Sequence, residues 1–120
     1  MNRSLGQKFE ELAESYLVDK GYRIINRNWH AGLYGEIDLI CRDRKNLVFI
    51  EVKGRSGLRY GLQDGLESIT SIKKSRLVNS IAKYLTDHPD EISAYRFDLV
   101  VILGKPPKHQ IDHLENLMLF

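Results

Sequence analysis

Residues 35–57 read GEIDLICRDRKNLVFIEVKGRSG, and this stretch carries an acid inside one apolar run and an acid-x-lysine inside the next. Asp38 lies between Ile37 and Leu39, while Glu51 and Lys53 flank Val52. Runs of Ile, Leu, Val and Phe are strands built for burial, and ionised groups resist burial unless paired. DRKN between the runs predicts a hairpin. Strand side chains alternate with period two, so Glu51 and Lys53 share one face, opposite Val48, Ile50 and Val52. Asp38 is expected on the same face as Glu36 and Ile40. A register that sets Asp38 beside Glu51 brings two carboxylates and an ammonium together. Two like charges about 4 Å apart repel by roughly 4 kcal/mol at an effective dielectric near 20, so such a group calls for a cation. Lys53 supplies one charge and a divalent metal would supply two. Oxygen ligands favour Mg²⁺ or Mn²⁺ over zinc. Phosphodiester hydrolysis is the chemistry that uses this set, with the metal lowering the pKa of water and the lysine orienting it. The plainer alternative is a cross-strand Asp38–Lys53 ion pair with Glu51 at a strand end.

Outward from this hairpin, residues 4–20 predict an amphipathic helix with Phe9, Leu12, Ala13, Tyr16 and Leu17 on one face, Ser4 as N-cap and Gly21 as stop. Glu10 lies at the margin of that apolar stripe, either facing the sheet or solvated. YRIINRNW predicts a strand and HAGLYG a turn. GRSGLRYGLQDG reads as an exposed basic loop. A second helix is expected from about Thr70 to Thr86, its face formed by Leu77, Val78, Ile81, Ala82 and Leu85, with DHPDE ending it. RFDLVVILG is a strand, KPPK a turn or bulge, and HQIDHLENLMLF a last strand. This order implies an α/β fold with a mixed central sheet flanked by helices, in one domain over 1–120.

The chain has 120 residues, 42% of them hydrophobic and 28% charged, the composition of an ordinary soluble domain. A net charge of +2 does not by itself demand a polyanionic partner, so clustering matters more. Arg55, Arg59, Lys73, Lys74 and Arg76 follow the acid-x-lysine closely and could hold phosphates or form a solvated surface. Tyr60 could stack on an unpaired base or pack its own loop. The lone Cys41, in an apolar run, reads as a buried side chain in a reducing compartment. Without a signal-like or membrane-spanning run, a cytoplasmic protein with no membrane partner is expected. His109 and His113 fall in a predicted strand, about 13 Å apart on one face, which speaks against a zinc pair.

GEIDLI, LVFIEVKGRSG and the RYG at 59–61 resemble the bacterial YraN family, as do Gly6, Glu10 and Ala13 in the first helix and the later RFDLV and HLEN. That family is similar to the PD-(D/E)XK nuclease superfamily, which includes Holliday-junction resolvases and restriction-enzyme cores. The resemblance covers nearly the whole chain. It implies a restriction-endonuclease-like core, with Asp38 and Glu51 as metal ligands, assisted by Glu10 and the Val52 carbonyl, and Lys53 as catalytic lysine. It also implies Mg²⁺ or Mn²⁺ as cofactor, Lys73 on phosphate (the helical wheel leaves Lys74 as the alternative), DNA as partner (branched or damaged), and a homodimer as one assembly. A non-cleaving nucleic-acid-binding module of the same fold is the alternative. Ile37 replaces the superfamily's proline, and Gly54 stands where a small hydroxyl residue is more usual, implying a loop of different flexibility. The apolar tail LENLMLF either serves an interface or completes the core.

Overall fold

The computed structural model describes residues 4–56, 71–91 and 94–119. In chain order these form α1 (Leu5–Asp19), β1 (Arg23–His30), β2 (Glu36–Asp43), β3 (Asn46–Arg55), α2 (Ser71–Asp87), β4 (Ala94–Lys105) and β5 (Lys108–Leu114), with 3₁₀ turns at Gly32–Tyr34 and Pro89–Glu91. The five strands make one sheet in the order β1-β2-β3-β4-β5. Only β3 and β4 pair in parallel, the other neighbours being antiparallel. The expected α/β architecture with a mixed sheet and flanking helices is present.

Local signals explain the first helix. Ser4 Oγ accepts from the Gln7 amide at 3.2 Å, and the Gln7 side chain accepts from the Ser4 amide at 3.0 Å, which closes a capping box. At the other end Gly21 takes φ 100°. The Tyr22 and Gly21 amides then return to the Leu17 and Val18 carbonyls at 2.9 and 3.0 Å, a Schellman closure. In the β2–β3 hairpin Asp43 faces Asn46, and Arg44 takes the positive φ of 59° that a two-residue turn requires.

The sheet carries a core on each side. Phe9, Ala13 and Leu17 of α1 pack with Leu39, Cys41, Val48, Ile50 and Val52. On the opposite side Leu77, Ile81 and Tyr84 of α2 pack with Ile37, Ile40, Leu47 and Phe49. Cys41 is buried, as expected. The α2 face is rolled from the one expected: Leu77, Ser80, Ile81 and Tyr84 are buried, while Val78 and Leu85 are half-covered and Ala82 is exposed. The Tyr84 ring draws the helix round, lying edge-on to Trp29 at 5.2 Å and to Phe49 at 5.6 Å. The tail mainly completes this core, since Leu117 and Leu119 pack against it and the Leu117 amide donates to Phe97 O at 2.8 Å; Met118 is exposed. Among the described residues no helix is long and apolar enough to cross a membrane.

Gly54 belongs to β3, which corrects the expectation of loop flexibility after the lysine. An ideal Cβ there would lie 2.0 Å from Phe9 Cδ2, so the glycine exists to let α1 press directly on the sheet. This contact sets the height of Glu10, the next residue, above the strands. Gly54→Ala is therefore expected to cost about 1–3 kcal/mol by lifting α1, measured as a lower denaturant midpoint with unchanged slope.

Candidate functional site

The hairpin does not stay paired to its end. The β2–β3 ladder stops at Leu39↔Ile50, whereas β2 continues along β1 to Glu36 and β3 continues along β4 to Arg55. The two strands fork there, and the fork would leave backbone groups without partners. Asp38 fills the gap, its Oδ2 accepting from the Val52 amide at 2.9 Å. Ile37 and Ile40 both face the α2 core, so side-chain alternation breaks around Asp38. The expectation that Asp38 simply shares a sheet face with Ile40 is corrected accordingly: its carboxylate turns between the strands.

Glu51 and Lys53 come off β3 beside the fork. Lys53 Nζ lies 3.4 Å from Glu51 Oε1, and each side chain is 14% exposed. Burial raises the Asp38 carboxyl; the Val52 amide and the Lys53 charge oppose this. Burial also pushes Glu51 up to about 7, reinforced by the negative charge of Asp38 and opposed by Lys53 and Lys73. Glu10 is raised by burial and then by Asp38 and Glu36, against a hydrogen bond from Asn28. Lys73 is lowered, first by its hydrogen bond with Lys53 and then by burial. Three carboxyls that hold protons firmly, first through burial and then through neighbouring carboxylates, describe an acidic, half-closed place that the two lysines do not fully offset.

Two small clefts of about 160 Å³ open on this group. One lies under α1, lined by Glu10, Asn28 and Asp38. The other lies under α2, lined by Tyr34, Glu36, Glu51, Lys73 and Arg76. Lys73, rather than Lys74, is the helix lysine that reaches Glu51 and Lys53, because of the roll of α2. Arg55 turns back, donating to its neighbour's carbonyl, Gly54 O, at 2.9 Å. Arg59 and Tyr60 lie outside the described residues. Asn28 and Tyr34 carry no signal in the sequence, where Glu36 reads only as a strand neighbour of Asp38. Asn28 takes φ 48° inside β1, which no local motif announces.

A second charged cluster lies beyond this site. Among the described residues, one set of three potential ligands brings its atoms within 4.8 Å of one another: Asp98, His113 and Glu115. Asp98 is fully buried and accepts from His113 Nε2 at 2.7 Å, the Asn116 amide at 2.9 Å and Arg96 Nε at 3.0 Å. Lys20 Nζ reaches Glu115 and His113 Nδ1, each at 3.1 Å. Burial alone would raise Asp98, but these hydrogen bonds outweigh it and hold the carboxyl below its usual range. With Arg96 largely buried beside Asp98 and Lys20 pairing with Glu115 at the exposed edge, this is an ion-pair network that ties β4, β5 and the tail to the end of α1. RFDLV and HLEN are its two halves. His113 points to Asp98 rather than towards a shared metal with His109, in line with the strand reading.

Removing the centre of the network strips His113 Nε2, the Asn116 amide and Arg96 Nε of their buried acceptor, with Arg96 keeping Asp43 at 3.2 Å, so Asp98→Ala should cost about 3–5 kcal/mol in denaturant unfolding. Glu51 behaves in the opposite sense. Its folded pKa lies above its ordinary value of 4.5, so stability falls as pH rises through the interval up to about 7. In metal-free buffer, the thermal midpoint of Glu51→Gln should exceed that of the parent by more at about pH 8 than at about pH 5.

Comparison with known proteins places the chain among many close relatives. A UPF0102 protein of Syntrophomonas wolfei is 42% identical over 116 residues, covering 97% of this chain and 98% of that one. One from Rhodococcus jostii is 40% identical over 116 residues, covering 96% of each. Among solved structures, Pyrococcus furiosus SfsA in complex with Ca²⁺ aligns with TM-score 0.38 and 16% identity, over 92% of this chain and 62% of that one. The model of "Uncharacterised protein family UPF0102" matches residues 9–102, and the chain belongs to that family.

Proposed function

We propose that this protein is a metal-dependent nuclease of the PD-(D/E)XK type, hydrolysing phosphodiester bonds in DNA. The observation that carries the reading is the fork between β2 and β3, where Asp38 is raised by burial and the charge of Glu36, and Glu51 by burial and the charge of Asp38, beside Lys53. An all-oxygen donor set short of positive charge suits a hard divalent cation. Asp38, Glu51 and the Val52 carbonyl would hold Mg²⁺ or Mn²⁺, with Glu10 assisting through water. When bound, the ion would neutralise phosphate charge and acidify water. Lys53 orients the attacking water and answers the charge that builds on the phosphate. Lys73 and Arg76, across the cleft from Glu51, hold the neighbouring backbone. Arg55, Arg59, Tyr60 and Lys74, close to these residues in sequence, are the further candidates for contact with the nucleic acid.

A second reading is favoured by the Glu51–Lys53 contact, which already pairs an acid with a base. On that reading the chain binds nucleic acid without cutting it. One panel separates the two: single-stranded, duplex, flap and four-way-junction DNA with Mg²⁺ or Mn²⁺, an EDTA control, and Asp38→Asn, Glu51→Gln and Lys53→Ala variants. Metal-dependent products are expected, reduced by about a hundredfold or more in each variant. Parental rates in all three variants would refute the assignment, and shifted but uncut DNA would favour the binding module. Mn²⁺ should also raise the thermal midpoint of the parent and leave that of Asp38→Asn unmoved.

A further inference from the structure

The turn between β1 and β2 presents two adjacent apolar side chains to solvent. Leu33 is 103% exposed and Tyr34 46%. The turn is nonetheless well held. The Ala31 amide donates to Gly35 O at 2.8 Å and the Tyr34 amide to Ala31 O at 3.3 Å, with Ala31 itself buried beneath. Gly32 and Gly35 take φ 63° and 119°, which lets so short a loop close. Trp29, two residues before Ala31, is fixed by its edge contact with Tyr84. Leu33 and Tyr34 are thus displayed on a pinned loop, and they add little to either core.

The position of Tyr34 gives this display a meaning. Tyr34 lines the same cleft as Glu51, Lys73 and Arg76. An aromatic ring and two cations stand around one cleft together with the carboxylates of Glu36 and Glu51, and the ring and cations match the parts of a nucleotide, with phosphate towards the cations and base towards the ring. In a duplex both faces of a base are covered by its neighbours. A ring on the lip of the cleft can cover a base only after that base has left the stack. Leu33, at the tip, is the kind of apolar side chain that enters an opened base step.

We propose that Leu33 and Tyr34 form a base-recognition lip, which restricts the site to phosphodiesters beside an unpaired nucleotide, as in single strands, flaps and junction openings. The proposal rests on the nuclease reading for the place of the scissile phosphate, so its test reads binding and involves no cleavage. The probes are a fluorescent oligothymidylate and a duplex of equal length, titrated in EDTA with fluorescence anisotropy as readout. Repulsion from the carboxylates acts on both probes alike. The parent should prefer the single strand. Tyr34→Ala should weaken single-strand binding by about five- to a hundredfold and leave duplex binding unchanged. Tyr34→Phe should retain the preference, since the ring face and not the hydroxyl makes the contact, and Leu33→Ser should reduce it. The proposal is overturned if the parent binds neither probe or both equally, if Tyr34→Ala matches the parent, or if it loses both probes equally. Circular dichroism on each variant separates loss of the lip from loss of fold. Intact strand discrimination with no metal-dependent cleavage would sink the nuclease reading and leave the lip standing.

Discussion

The hydrogen bond from the Val52 amide to the Asp38 carboxylate is the contact on which the site depends. A hairpin paired to its ends would have set Asp38 and Glu51 on an ordinary ladder. The β2–β3 ladder instead ends at Leu39↔Ile50, and a side chain takes the place of a backbone acceptor. A carboxylate can do this where an apolar residue cannot, because a buried amide left without a partner is costly. The acid in the middle of IDLI is thus explained by two demands on one group: it closes the fork, and it brings negative charge to Glu51 and Lys53.

The fold holds two clusters of buried charge and treats them oppositely. Around Asp98, hydrogen bonds and the charges of Arg96 and Lys20 satisfy the acids, and the Asp98 and Glu115 carboxyls are both held low. Around Asp38, burial and mutual repulsion win, and Glu10, Asp38 and Glu51 are all raised. The first pattern belongs to a fastening between chain segments. The second belongs to a place that stays polar for a reason other than stability, since apolar residues there would relieve the strain.

Much of the molecule was legible along the chain. The Ser4 cap, the Gly21 stop, the hairpin and the long β4 run announce themselves through periodicity and turn chemistry, as do Asp38, Glu51 and Lys53 through charge in apolar strands. The buried face of α2 was not legible, because Tyr84 and Ser80 look like surface residues until Trp29 and Phe49 surround the ring. The same roll decides between Lys73 and Lys74, which adjacent positions on a helical wheel could not. Asn28 and Tyr34 carry no local signal either, for they matter only through what the neighbouring strand and helix bring near.

The sequence by itself determined the elements, the α/β order and the charged trio in the strands, because those follow from short-range periodicity and from the cost of burying charge. Only the tertiary structure decided where β2 leaves β3, which face of α2 closes the cleft, and that RFDLV and HLEN meet in one network. These depend on residues far apart in the chain competing for the same buried space, and no local pattern encodes the outcome.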